Sequence, residues 1–261
     1  MGVVNVTPDS FSDGGENLDP GAAVATARRL RSEGAALVDV GGESTRPGAD
    51  AVSVDEELRR VLPVLEELSD IPLSIDTSKA EVARRAIAAG AMLVNDVTAF
   101  RGDPELAGAI ADGGAYVCLM HMQGEPRTMQ EAPHYDDVVE DVASFLEERL
   151  EAAIRAGIPE DHICLDPGVG FGKTPDQNLT LIRNLDRLCR IGPPVLVGLS
   201  RKSTLARAVG DPTAKAGSDA ASVGAAVAAF DRGAALFRAH DVAAHVRALA
   251  VAAAVERGSV E

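Results

Sequence analysis

The chain has 261 residues, of which 46% are hydrophobic, and 25 basic against 40 acidic side chains give it a formal charge of −15. A mean hydropathy of +0.04 and apolar runs well short of the ~20 residues of a membrane span exclude a membrane-embedded reading. The acidity argues against a nucleic-acid partner, whose phosphates need a basic face.

Taken in order, the sequence alternates short apolar runs with amphipathic ones. A strand over 1–6 ends in the turn cluster from Thr7 to Gly15, and a helix follows over 19–34, stopped by Gly34. A strand that begins at residue 1 predicts a lead-in upstream of Met1. The opening stretch has neither the basic region nor the apolar core of a signal peptide, so cytoplasm is the expected compartment. The next unit is a strand over 36–40, a glycine-rich loop from Gly41 to Gly48 and a helix over 54–68. Residues 73–76 form strand three, and Ser78 or Thr77 is the expected cap of a helix ending near Gly90. Strands over 92–97 and 116–121, a long loop and a helix over 135–156 come next. Strand six, Ile163-Cys164-Leu165, delivers Asp166, and a helix runs from Pro175 to about Arg190. A strand over 195–199, a helix opened by Ser200-Arg201-Lys202-Ser203, a strand over 235–237 and an Ala/Val-rich helix over 241–256 complete the chain. Eight strand-then-helix units in about 250 residues predict an α/β fold, a TIM (β/α)8 barrel forming a single domain over 1–261. Cys118, Cys164 and Cys189 fall inside periodic apolar segments and read as buried thiols of a reducing compartment.

In such barrels chemistry sits at the carboxyl ends of the strands, where Asn5, Thr45, Asp76, Asn95, Asp166, Lys202, Arg238 and His240 fall. Each alone reads equally well as a cap or turn former. Eight independent caps on one rim are a poorer explanation than one site. Asp166 opens the loop Asp166-Pro167-Gly168-Val169-Gly170-Phe171-Gly172-Lys173, whose glycines permit close backbone approach to a small planar molecule. Asp76, Asn95, Asp166 and Lys202 mix acceptors, donors and a cation, which suits a heterocycle with a mixed hydrogen-bonding edge. Asn5, Arg238 and His240 come from the first and last strands, neighbours once the barrel closes, and can share one polyanion. The segment from Ser200 to Ser203 opens a helix and favours a carboxylate or phosphate. The polar loops over 7–17 and 41–52 are suited to closing over an anion. Spacing reveals no His/Cys metal set. Asn5 as a lone oxygen ligand fits Mg²⁺ held mainly by substrate phosphate. Met120-His121-Met122 reads as a strand end, and His134, His162 and His245 as surface or helix residues.

Together, the motifs from Met1 to Gly15, Gly42-Glu43-Ser44-Thr45-Arg46-Pro47-Gly48, Asp76-Thr77-Ser78-Lys79, Asn95-Asp96, Asp166 to Lys173, Ser200-Arg201-Lys202-Ser203 and His240-Asp241-Val242 resemble, in this order, the dihydropteroate synthases of folate biosynthesis, a pterin-binding family. The resemblance spans nearly the whole chain. It implies condensation of 6-hydroxymethyl-7,8-dihydropterin diphosphate with 4-aminobenzoate, with Mg²⁺ as cofactor. It places Asp76, Asn95, Asp166 and Lys202 around the pterin, with Met120, Val97, Leu196, Gly198 and Phe171 as apolar surroundings. Arg238 would stack on the pterin and touch the diphosphate, which His240, Asn5 and Thr45 would also hold, Asn5 reaching Mg²⁺. Thr45, Arg46 and Ser203 would surround the aminobenzoate. Thr45, Arg46, Lys202, Arg238 and His240 would be the catalytic set. A homodimer through the Ala-rich surface over 242–255 is also implied. A methyl-transferring pterin barrel would keep the pterin-facing Asp and Asn residues but has no diphosphate to explain Arg238, His240 and Lys202 together. A non-catalytic pterin binder is the other alternative.

Overall fold

The computed structural model describes residues 1–7, 20–44, 50–125, 127–211 and 216–259. Along them run β1 (Gly2–Asn5), α1 (Pro20–Ser32), β2 (Val38–Gly41), α2 (Val54–Glu67), β3 (Leu73–Asp76), α3 (Ala80–Ala88), β4 (Ala91–Asp96), α4 (Leu106–Gly113) and β5 (Tyr116–Met120). Then come α5 (Val138–Arg155), β6 (Ile163–Asp166), α6 (Pro175–Arg183), α7 (Leu185–Cys189), β7 (Leu196–Val197), α8 (Ser203–Ala208), α9 (Asp219–Phe230), β8 (Leu236–Phe237) and α10 (Val242–Arg257). Strands β1 to β6 pair in parallel in chain order, and β7 pairs with β8. The two remaining seams narrow to single parallel bridges, Leu165 to Val195 and Gly2 to Ala239. At the second seam the Ala239 N–H donates to Met1 O at 2.9 Å and the Met1 ammonium to Phe237 O at 2.8 Å. The eight strands thus complete the expected ring.

The strands are apolar on both faces because helices cover one and the ring encloses the other. Val38, Val40, Leu73, Ile75, Val94, Val117, Leu119 and Leu165 are fully buried in the core shared with the helices. Residues alternating with them turn inward, where Leu93, Cys118, Cys164 and Leu196 form a separate cluster with Met1, Leu37 and Leu236. Cys118 and Cys164 are buried as expected, whereas Cys189 is only half-buried. No described helix is long and apolar enough to cross a membrane.

Several local expectations need correction. The residue preceding α3 is Lys79, which makes no side-chain cap. Of the two expected caps Thr77 takes part, its hydroxyl accepting from Lys79 N at 3.2 Å, but the N–H of Ala80, the first helical residue, goes to Asp103 Oδ2 at 2.8 Å. The helix expected over 175–190 divides into α6 and α7 at Asn184, whose Nδ2 donates back to Thr180 O at 2.8 Å. Its start is firm: Thr174 and Gln177 form a reciprocal capping box with Pro175 at the first turn. The sequence reading did not identify α4 and α9. Alanine and glycine dominate both, so neither carries the polar-apolar periodicity that marks a surface helix.

Candidate active site

The last inward position of each strand supplies the site. Asn5, Gly41, Asp76 and Asn95 are in register across β1 to β4, and Met120 pairs with Asp166 across β5 and β6. Gly198 and Arg238 directly follow β7 and β8. Hydrogen bonds between non-neighbouring strands run through the ring and show which side chains point inward. Arg238 Nε donates to Asp39 Oδ2 at 2.7 Å and its Nη2 to Asp76 Oδ2 at 3.0 Å, while Asn95 Nδ2 donates to Asp39 Oδ2 at 3.2 Å. The Ser74 hydroxyl donates to Asp39 Oδ1 at 2.6 Å.

Burial sets the electrostatics here. The Asp76 carboxyl is raised well above the ordinary range by burial and then by nearby Asp39, Glu57 and Asp96, against the opposing pull of Arg238. Burial also pushes Asp166 up to about 6, although its carboxylate accepts the Gly168 N–H at 2.7 Å and lies near Lys202. Lys202 is drawn down to about 8 by burial and by Arg238. Its ammonium lies 4.2 Å from the centre of the Phe171 ring. Burial lowers the Arg238 guanidinium, but the flanking Asp39 and Asp76 carboxylates more than offset this and hold it charged.

Phe171 packs with Met120, Val97, Met122 and Met129, an apolar wall beside these charges. The loop after β6 keeps its shape through Lys173, which is 2% exposed. Its ammonium donates to Gly168 O and Phe171 O, each at 3.0 Å, and lies 2.9 Å from His121 Nδ1. Burial, and Lys173 after it, push His121 down to about 2, so the ring is neutral and can accept that bond. On the opposite side Ser200 Oγ lies 2.9 Å from His240 Nδ1 and accepts the His240 N–H at 3.1 Å, fixing the ring. Ser203 begins α8 and is exposed. Lys79 pairs with both Glu43 and buried Glu57, tying the start of the loop after β2 to α2 and β3. Thr45 and Arg46 lie outside the described residues.

Of the expected site residues, the structure therefore brings Asp76, Asn95, Asp166, Lys202, Arg238, Met120, Phe171 and Gly198 to one end of the ring, with Asn5 and His240 beside them. The sequence reading gave Asp39 and Ser74 no role, and named Lys173 only within the loop after strand six and Ser200 only within the helix opening. For Asp39 a signal existed: a carboxylate in Leu37-Val38-Asp39-Val40, a strand otherwise apolar, must be partnered inside the protein.

Comparisons with known proteins agree with this geometry. The pterin-binding enzyme family matches residues 1–240. The dihydropteroate synthase of Escherichia coli K12 is 45% identical over 256 residues, covering 96% of this chain and 89% of its own. That of Synechocystis is 43% identical over 262 residues, covering 98% and 90%. A crystal structure of Xanthomonas albilineans dihydropteroate synthase with 4-aminobenzoic acid is 53% identical and superposes with a TM-score of 0.90, covering 98% of this chain and 92% of its own. A second structure from that organism, in complex with 7,8-dihydropteroate, gives a TM-score of 0.86 at 50% identity over the same shares. Matched along nearly its whole length in sequence and in backbone, the chain belongs to the dihydropteroate synthase family of pterin-binding enzymes.

Proposed function

We propose that this chain condenses 6-hydroxymethyl-7,8-dihydropterin diphosphate with 4-aminobenzoate, giving 7,8-dihydropteroate and pyrophosphate. One observation carries the reading. Asp76, Asn95, Asp166, Lys202 and Arg238 surround one end of a barrel whose relative, 50% identical, was crystallised with 7,8-dihydropteroate. The pterin edge would meet Asp76, Asn95, Asp166 and Lys202, and its ring the wall of Met120, Phe171 and Gly198. Arg238 and His240 would receive the diphosphate together with Asn5 and Thr45. Thr45, Arg46 and Ser203 would hold the aminobenzoate.

Catalysis on this reading is electrostatic and positional. The pterin ring shares the positive charge left on its methylene carbon, and the cationic side chains stabilise the departing diphosphate before the weak aniline nucleophile attacks. No covalent enzyme intermediate is involved. Mg²⁺ fits this site only as a companion of the substrate. Asn5 offers one neutral oxygen beside Gly41, and no cluster of three His, Cys, Asp or Glu side chains suited to a metal exists among the described residues. When bound, the ion would neutralise charge on the leaving diphosphate.

Residues 1–261 would act as one domain in the cytoplasm, as a homodimer. Support for the dimer comes from the outer face where Val227 of α9 meets Val251 and Val255 of α10, the last two exposed, Val255 to 76%.

The decisive assay follows pyrophosphate release from pterin diphosphate and Mg²⁺, with and without 4-aminobenzoate. Release that requires aminobenzoate and equals the dihydropteroate formed is expected. Pterin binding without release would identify a silent binder instead.

Affinity should also depend on pH. Protonation turns an acceptor oxygen of Asp166 into a donor, and does the same at Asp76, whose carboxyl burial also raises, so pterin affinity is expected to fall as pH drops toward and below about 6, by about tenfold per pH unit for each group protonated. Stability moves the other way. For Asp166 the folded value lies above the unfolded one, so protonation favours the folded chain, and this group's contribution grows as pH falls from about 6 toward the ordinary carboxylate range. Calorimetric titration from about pH 5 to about pH 8 checks the first trend; a flat affinity across that range would remove Asp166 from the pocket.

A further inference from the structure

We propose that Asp39 is a positioning residue for this reaction: buried beneath the substrate layer, it holds the Nε end of Arg238 so that the other end can pass from Asp76 to the substrate. The proposal rests on the pterin diphosphate reading of the site.

Asp39 has no exposed surface, and both of its oxygens are taken by the protein. Ser74 Oγ donates to Oδ1, and Arg238 Nε and Asn95 Nδ2 both donate to Oδ2. It therefore does not meet substrate itself. Directly above it on the same face of β2 stands Gly41, where a Cβ would lie 3.4 Å from Asp76 Cβ and 3.7 Å from Asn5 Oδ1. The missing side chain leaves the next layer open, and Arg238 spans the two layers, Nε below and Nη2 above.

The two contacts of Arg238 differ in what substrate does to them. Asp76 stands in the layer that meets the ligand, so N–H groups of a bound heterocycle compete with Nη2 for its carboxylate. Asp39 faces no such competitor. An arginine held by Asp76 alone would have to surrender its one ion pair to admit substrate. Held also by Asp39, it can release Asp76 and keep a charge-assisted bond throughout. Asp39 acts on a second group as well. By accepting from Asn95 Nδ2 it turns the Asn95 carbonyl oxygen away from itself, presenting the cavity with an acceptor rather than a donor.

Asp39→Asn tests the charge with little change of shape. The amide can point its nitrogen at Ser74, whose hydroxyl turns from donor to acceptor, and its oxygen at Arg238 and Asn95. Three readouts are taken on wild type and variant: steady-state kinetics with pterin diphosphate, calorimetric binding of pterin diphosphate, and the ¹³C carboxyl titration of Asp76. The expected result is a KM for pterin diphosphate raised about tenfold or more with kcat also reduced, because Arg238 now leans on Asp76. The groups facing Asp76 are Arg238, Asp39, Glu57, Asp96 and Lys202. Removing one negative neighbour while tightening the Arg238 contact should make Asp76 titrate at lower pH. A merely structural Asp39 would lower the melting temperature and, through loss of its charge alone, still move that titration, but it would leave KM and kcat near those of wild type. Kinetics and pterin diphosphate affinity within about twofold of wild type would overturn the proposal, whatever the titration does. Binding needs no turnover, so calorimetry still judges the clamp if wild type releases no pyrophosphate, an outcome that counts only against the parent reading. Should Asp39→Asn not fold, Ser74→Ala leaves every charge in place and frees only Oδ1. A raised KM for pterin diphosphate would then support the proposal, because the carboxylate loses the bond that fixes its rotation while keeping its charge, and an unchanged KM would overturn it.

Discussion

Replacing Asp166 by Ala is expected to weaken pterin diphosphate binding by about 2–4 kcal/mol, roughly 30- to 1,000-fold. The carboxylate ends β6 with 5% exposure, and among the described residues only Oδ1 is hydrogen-bonded, by the Gly168 N–H at 2.7 Å. Its remaining acceptor capacity faces the cavity. A ligand N–H that loses this partner inside a site closed to water pays the full cost of going unpaired. Asp166→Asn is the sharper probe, because an amide can keep the Gly168 bond through its oxygen but then turns a donor toward the ligand's donors. The loss should not be matched by a loss of stability. Burial raises the Asp166 carboxyl to about 6, so its charge at neutral pH is a cost to the fold, and Asp166→Asn should melt at or above the wild-type temperature. Titration calorimetry and thermal melts on the same samples check both halves. Unchanged affinity in both variants would place the pterin elsewhere.

That opposition between binding and stability recurs around the ring and explains its uneven lining. Beneath β5, β6 and β7 the inner layer is Cys118, Cys164 and Leu196, a plain apolar floor. Beneath β2 and β3 it is Asp39 and Ser74, both fully buried. The apolar half needs no partners. The polar half is admissible only because Ser74, Asn95 and Arg238 all converge on Asp39. The ring thus places its buried charge under the two strands that carry Gly41 and Asp76, where Arg238 spans both layers, and keeps apolar packing elsewhere.

The sequence made the upper layer legible because each of its polar residues ends an apolar run, a position that a barrel converts into a rim. Asp76, Asn95 and Asp166 are the last or next-to-last residues of their strands. The layer below was not legible by that rule. Asp39 sits two positions earlier in β2, and its partners Ser74, Asn95 and Arg238 lie 35, 56 and 199 residues away, distances that only strand register resolves. Lys173 was visible as a letter in a motif, but the clamp it forms with His121, 52 residues earlier, depends on how the loops after β5 and β6 pack. The share of the α3 cap taken by Asp103 was missed for a similar reason, since that residue reaches it from beyond β4. Helices α4 and α9 escaped because alanine and glycine satisfy a helix without signalling which face is buried.

How those two loops pack yields the second large expected effect, on stability. Gly168 has φ +65, and a Cβ there would stand 1.8 Å from His121 O and 3.0 Å from His121 C. The His121 backbone cannot retreat, because its N–H donates to Asp166 O at 2.9 Å as the last bond between β5 and β6. Gly168→Ala must therefore push the β5 and β6 loops apart and also hold a left-handed backbone, costing together about 3–5 kcal/mol. For a chain of this size the melting temperature should fall by roughly 10 °C. Gly198 supplies the contrast. It lies at the same end of the barrel, but a Cβ there meets nothing within 4 Å. Gly198→Ala is therefore expected to melt within about 2 °C of wild type while lowering pterin affinity by putting a methyl group into the cavity. The same added carbon should cost folding at one glycine and binding at the other. Equal melting losses in both variants would mean that the packing of the β6 loop on the β5 loop is not what requires glycine at position 168.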